Sequence, residues 1–279
     1  MMNALAATGT AFRTLRQALL RPWAQTPRAC RHQPVLSQQQ RRQFHQDGYL
    51  IFDPGLARDL ADRVREELRG KFSSVPPGTP GFPLCGRIQD AWKYSPAVKE
   101  LARAPRVLAA LRDLYGREPL PFQTLNFPVG TEQPIHSDTI HFNSQPAGGM
   151  CGVWVALEDI DLDNGPLAYY PGSHRLPEFT PEDVGVPVVM GSHEHYKDYE
   201  RFIARFIETE GLQPRHATIR QGEALVWASN LLHGGMPRRD RNRSRFTQAT
   251  HYFFAGYRYY TPLFSTEDQV CWRRPAWIT

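Results

Sequence analysis

Near residue 120 the spacing of apolar residues changes from helical to alternating. Upstream, Leu56, Leu60, Val64 and Leu68 recur every four residues and Gly70 follows them, which predicts an amphipathic helix over 56–69. A short strand over 49–52 precedes it, in FHQDGYLIF. Ser95-Pro96 is a good N-cap and first-turn pair and opens a second helical region that breaks at Pro105 and resumes as RVLAALRDLYG. Residues 74–86, SVPPGTPGFPLCG, read as a loop. Downstream, strands are expected over 122–127, 134–142, 151–157, 167–170, 223–227 and 246–254, with turns at Asn164-Gly165-Pro166 and at PGSH, 171–174. Many short strands joined by turns indicate a sandwich or barrel. Residues 175–215 interrupt them, and there Tyr196, Tyr199, Phe202, Ile203, Phe206 and Ile207 form one helical face. This reads as an inserted helix, lying over the barrel mouth or packed on its outside.

Composition agrees with strands and turns: 21 Gly and 24 Pro in 279 residues, with 41% apolar residues for a core. Charge is unevenly spread. Residues 1–46 hold seven Arg and no Lys, Asp or Glu, so the remaining chain has 26 basic against 28 acidic residues and the net charge of +5 belongs to the tail. It therefore gives no reason to expect a nucleic-acid partner. Leu15, Leu19 and Trp23 at helical spacing, with Arg13, Arg16 and Arg21 between them, fit either a mitochondrial transit peptide or a plain basic tail over 1–38, ahead of one domain over 39–279. No apolar run reaches the ~20 residues needed to span a bilayer. Cys30, Cys85, Cys151 and Cys271 form no C-x-x-C pair and read as reduced thiols of a cytoplasmic-type compartment.

The chemistry concentrates in QPIHSDTIHF, 133–142. If this stretch is extended, His136 and Asp138 point to one side and Ser137 to the other. That is two thirds of the 2-His-1-carboxylate set that holds non-haem Fe(II). A barrel joins distant strands, so the third ligand is sought downstream, and His233 in NLLHGG follows the 223–227 strand. Arg245 and Thr247 share a strand face beyond it. 2-Oxoglutarate is a dianion; with its keto-acid end on a metal, its distal carboxylate needs a bidentate cation, which arginine matches best.

Together HSDTIHF, VWVALEDIDLDNGPLAYYPGSH at 153–174, NLLHGG at 230–235 and Arg245-x-Thr247 resemble the phytanoyl-CoA dioxygenase family of Fe(II)/2-oxoglutarate oxygenases, over roughly 44–254. The resemblance implies a mainly β, double-stranded β-helix (cupin-like jelly roll) with helices packed on one side. It implies Fe(II), 2-oxoglutarate and O2 as reactants, succinate and CO2 as products, and a small-molecule or lipid-like substrate. It assigns His136, Asp138 and His233 to the metal and Arg245 and Thr247 to the distal carboxylate. Trp154 lines the pocket and Gln123 is a weaker cofactor contact. Some relatives lack the carboxylate ligand and halogenate; Asp138 favours hydroxylation.

Other groups have plainer readings. His193-Glu194-His195 is taken as a polar helix start, His141 as a packing residue, PGSH as a loop-shaping turn, and Arg238, Arg239, Arg241 and Arg243 as solvated surface. His251 shares Arg245's parity but matches no ligand position of the family. Two other classes fit part of the pattern: a cupin-like metal enzyme without 2-oxoglutarate, against which Arg245-x-Thr247 argues, and a non-catalytic jelly-roll binding module, against which the triad argues. Loop 74–90 and the 175–215 insertion would set the substrate, and neither carries a readable code.

Overall fold

The computed structural model describes residues 33–72, 86–189, 191–266 and 268–279. The expected tail or transit segment, through residue 32, and most of loop 74–86 lie outside the described residues. Helix α1 (Gln38–Asp47) starts at a capping box: the Ser37 hydroxyl accepts from the Gln40 N–H and the Gln40 side chain accepts from the Ser37 N–H. Leu36 is buried in the core, and the N–H groups of Val35 and Leu36 both donate to Asp113 Oδ2 at 2.8 and 2.9 Å. Packing therefore begins a few residues before the boundary expected at residue 39.

Strand β1 (Tyr49–Phe52) has the expected bounds. Helix α2 (Leu60–Glu67) starts later than its apolar spacing suggested, because Asp53 Oδ1 accepts from the Gly55 N–H and holds the preceding residues in a turn. After β2 (Ile88–Gln89) come α3 (Pro96–Ala102), capped by Ser95, and α4 (Pro105–Tyr115), each with proline in its first turn. The strands that follow are β3 (Pro119–Phe127), β4 (Asn143–Gln145), β5 (Met150–Ala156) and β6 (Leu167–Tyr169). Helix α5 (Tyr196–Glu210) precedes β7 (Arg215–His216), β8 (Ala224–Ala228), β9 (His233–Gly235), β10 (Thr247–Phe254) and β11 (Arg258–Tyr260).

A six-stranded antiparallel sheet runs β1-β8-β5-β10-β3-β2, with a three-stranded sheet β7-β6-β9 and an antiparallel pair β11-β4 of strands distant in sequence. This is the expected jelly roll. Alternation along the strands separates its two faces. Cys151, Val153 and Val155 of β5, with Ala224, Val226 and Ala228 of β8, pack against α1 to α4 through Phe44, Val64, Val98 and Leu111. Their neighbours Trp154, Ala156, Leu225 and Trp227 point the other way and meet Leu167 and Tyr169 between the sheets. Helix α5 buries Tyr199, Ile203 and Phe206 against Ile140, Tyr170, Phe179 and Leu232.

The expected strand over 134–142 does not form. His136 makes one isolated bridge to His233, and Asp138–Ile140 is a single 3-10 turn. Local side chains cause the departure: the Ser137 hydroxyl accepts from the Thr139 N–H, and the Asp138 carbonyl accepts from the N–H groups of His141 and Phe142.

Candidate functional site

A cavity of about 300 Å³ lies between the sheets, and it gathers residues from β3, β5, β8, β9 and β10 with the 131–142 segment. His136, Asp138 and His233 are all buried, and one ligand atom from each lies within 4.8 Å of the others. The two histidines meet through backbone pairing. His136 N–H donates to His233 O and His233 N–H donates to His136 O, each at 2.9 Å. Asp138 reaches the same point although its segment turns, because Ser137 between them stays extended at φ −109°, ψ 139°. Ser137 faces away, with its hydroxyl donating to Asn230 Oδ1 at 2.9 Å.

Hydrogen bonds fix the tautomers. His136 Nδ1 lies 2.9 Å from the Pro134 carbonyl, and His233 Nδ1 lies 2.9 Å from the Leu231 carbonyl. A carbonyl only accepts, so each Nδ1 carries a proton and each Nε2 is turned toward Asp138. Those Nε2 atoms are 3.7 and 3.9 Å from the Asp138 oxygens, too far for hydrogen bonds. Burial, then the charge of His233, pulls His136 down to about 4, so its imidazole is neutral at ordinary pH. For Asp138, burial raises the pKa, but His233, His251, His136 and the Trp227 N–H outweigh it and hold the carboxyl down to about 2. Two imidazoles whose Nε2 atoms converge on one ionised carboxylate, with no hydrogen bond among the three, suit a divalent metal of non-haem iron type.

Trp227, which the sequence reading did not single out, orients the carboxylate: its indole N–H donates to Asp138 Oδ2 at 2.7 Å. Its ring lies over Gly152 of β5, where a Cβ would overlap it. His251 is also inside, with Nε2 3.6 Å from Asp138 Oδ2 and Nδ1 2.9 Å from Gln123 Oε1. Gln123, the weaker cofactor-contact candidate, lines the cavity with its Oε1 on His251 Nδ1.

Arg245 is fully buried just before β10. One Nη1 donates to the Gly165 carbonyl at 3.0 Å, while Nε has no hydrogen-bond partner. The guanidinium stacks 5.3 Å from the Trp154 ring, and both residues line the cavity. Burial pushes Arg245 down to about 9, which leaves it a cation at neutral pH. Thr247 does not itself line the cavity, but it is fully buried with Oγ1 unpartnered, on the strand face of Ala249 and His251, which do. A buried guanidinium and hydroxyl with donors to spare fit the distal carboxylate of a 2-oxo diacid.

The remaining candidates separate. Arg243 pairs with Asp161 at 2.8 Å on the surface, and Arg239 and Arg241 are exposed. His195 pairs with Asp198 at the start of α5, as a polar helix start should. His193 lies at the cavity's edge, 6.0 Å ring to ring from His141. His141, expected to be packing, is a cavity wall residue, 4.8 Å from the Tyr196 ring.

A family profile described as Phytanoyl-CoA dioxygenase (PhyH) matches residues 44–246. A probable phytanoyl-CoA dioxygenase of Caenorhabditis elegans is 24% identical over 230 residues, 72% of this chain and 70% of that protein. The peroxisomal phytanoyl-CoA dioxygenase of Bos taurus is 23% identical over 253 residues, 81% of this chain and 70% of the relative. Among solved structures, EctD from S. alaskensis with 2-oxoglutarate and 5-hydroxyectoine superposes with a TM-score of 0.61 at 20% identity, over 91% of this chain and 93% of that one.

Proposed function

The chain belongs to the phytanoyl-CoA dioxygenase family, and from that membership we propose that this Fe(II)- and 2-oxoglutarate-dependent oxygenase hydroxylates a small-molecule substrate, with His136, Asp138 and His233 as its metal ligands. The observation that carries the reading is the convergence of these three residues in one cavity with a buried Arg245 whose Nε has no partner. Bound Fe(II) and 2-oxoglutarate would together activate O2 and oxidise a C–H bond, releasing succinate and CO2.

The chain's own part is positioning and exclusion. His136 and His233 offer Nε2 because backbone carbonyls occupy their Nδ1 protons. Trp227 holds Asp138 in one orientation. Arg245, with Thr247 beside it, receives the distal carboxylate, and Trp154 and Phe127 shield that charge pair from water. Phe142 and Phe122 form an apolar wall near His251, 5.2 and 6.2 Å from its ring, which keeps bulk water from the reacting centre. Among the described residues no helix is long and apolar enough to cross a membrane.

Anaerobic addition of Fe(II) and 2-oxoglutarate tests the reading. A weak visible charge-transfer band is expected in the native chain and is lost in Asp138→Ala. A native chain that binds Fe(II) but gives no band with 2-oxoglutarate would favour a cupin-like metal enzyme instead.

A further inference from the structure

We propose that the primary substrate is a compact anion whose carboxylate or phosphate group is held by Arg87 and Arg273, a second cationic pole of the cavity distinct from Arg245. The proposal rests on the oxygenase reading, and its basis is the balance of charge inside the walls. Three arginines line the cavity, and Asp138 is the single acidic residue among the described lining residues. Fe(II) and the 2-oxoglutarate dianion cancel, and Asp138 offsets one guanidinium. Two positive charges are left for whatever else binds there.

Neither guanidinium is neutralised by the protein. Among the described residues Arg87, half-buried ahead of β2, has no carboxylate partner, and burial lowers its pKa. Arg273 is half-buried in the C-terminal segment; its Nη1 donates to Thr261 Oγ1 at 2.9 Å, and its buried Nε has no partner. Its Cζ sits 4.8 Å from the centroid of the Phe142 ring. Partly buried cations without a counter-ion carry a desolvation cost that a ligand's charge offsets, and a planar fork is suited to an oxyanion.

The two poles are separate. Arg273 lies toward His251, since its Cζ is 4.8 Å from the Phe142 ring and that ring is 5.2 Å from the His251 ring, and the charges of Arg87 and Arg273 both act on His251; Arg245 instead sits against Trp154 and Phe127. His251 is six positions along β10 from Arg245, about 20 Å on an extended strand. The metal-ligand candidates lie at the His251 end, where Asp138 Oδ2 is 3.6 Å from His251 Nε2. An anion anchored at Arg87 and Arg273 would thus present its adjacent carbons toward Asp138. A cavity of about 300 Å³ that also admits 2-oxoglutarate leaves room inside its walls for a compact molecule.

The test is calorimetric titration of the Fe(II)/2-oxoglutarate-loaded chain, without O2, using benzoate against benzamide and phenyl phosphate against benzyl alcohol. Saturating 2-oxoglutarate keeps Arg245 occupied. At least one anion is expected to bind while its neutral counterpart does not, and which anion binds identifies the oxyanion. Arg87→Gln, which removes no side-chain hydrogen bond among the described residues, and Arg273→Gln should each weaken that anion by about 30-fold or more, with Arg87→Lys recovering part of the loss. The 2-oxoglutarate affinity, read from the visible band, should stay unchanged in all three. Binding of neither anion, equal binding of the neutral partners, or unaltered anion binding by Arg87→Gln would overturn the proposal. If the native chain gives no visible band, the oxygenase reading fails instead. Titrating benzoate and phenyl phosphate into the metal-free Arg245→Gln variant then still tests the Arg87–Arg273 pole.

Discussion

Trp227 and Asp138 lie 89 positions apart, and no spacing rule links them; their 2.7 Å hydrogen bond exists only because β8 and the 136–138 segment meet in the barrel. Trp227→Phe keeps an aromatic ring over Gly152 and removes the N–H. Loss of such an outer-shell partner typically costs about 10- to 100-fold in metal affinity, and competitive metal titration should show a loss in that range. The arginines give a sharper contrast. Arg245 is buried with its Nε unpartnered, whereas Arg243 sits in a surface pair with Asp161. Removing one side of a desolvated charge pair costs about 2–5 kcal/mol, roughly 30- to 4,000-fold in affinity. Arg245→Ala should therefore raise the dissociation constant for 2-oxoglutarate steeply, and Arg243→Ala, worth under about 1 kcal/mol, should leave it nearly unchanged. The separation of these two arginines was legible in the sequence, since apolar, β-favouring residues begin only at Phe246. The same alternation, followed to His251, puts that histidine inside, and family motifs alone pass it over. Arg87 and Arg273 had no such signal, because their segments carry no periodicity that ties them to the barrel.

Strands whose residues pack on both faces announce themselves by composition, which is why β3, β5, β8 and β10 were located within a residue or a few. The site segment did not, because its backbone bonds are diverted by Ser137 and by the Asp138 carbonyl rather than spent on a ladder. His136 and Asp138 still converge, so the functional inference survived an incorrect element. Gly152 shows how an element serves the site. It leaves β5 without a side chain at the point where the Trp227 indole crosses it. Gly152→Ala forces that ring to move; overpacking of this kind costs about 1–3 kcal/mol, and the moved ring no longer aligns its N–H with Asp138. The expected outcome is a lower unfolding midpoint together with weaker metal binding. A variant that loses stability but keeps native metal affinity would show that the Trp227 hydrogen bond does not tune the site.

At the scale of the whole molecule, one histidine ties the helical layer to the site. His174, in the PGSH turn after β6, packs against Gly48 at the α1–β1 corner, where φ is +80° and any Cβ would overlap the imidazole. Its Nε2–H donates to the His45 carbonyl at 3.2 Å. The neighbouring Ser173 hydroxyl donates to the Tyr170 carbonyl and accepts from the Leu232 N–H, so the same turn holds the residue before His233. Burial lowers His174 to about 4; Arg175 and His45 add to this, and the His45 carbonyl and Asp47 oppose it. Because the folded pKa lies below the unfolded value of about 6.5, the unfolded chain binds the proton first as pH falls. Above pH 6.5 both states are neutral and the group has no effect. Between about 6.5 and 4 each step down in pH favours the unfolded chain, and below 4 the loss is complete. From pH 7 to pH 5 this one site should cost about 2 kcal/mol of stability. His136 and His141, held down to about 4 and 3, add to the same trend in metal-free protein, so the total slope does not identify His174. The difference between variants does. In urea unfolding of the metal-free chain, His174→Gln should be less stable than the native chain at pH 7, having lost a packed ring. It should also lose about 2 kcal/mol less on going to pH 5, bringing the two chains closer in acid. Parallel losses in both chains would mean that His174 is free to protonate in the folded state and that the corner opens to admit water.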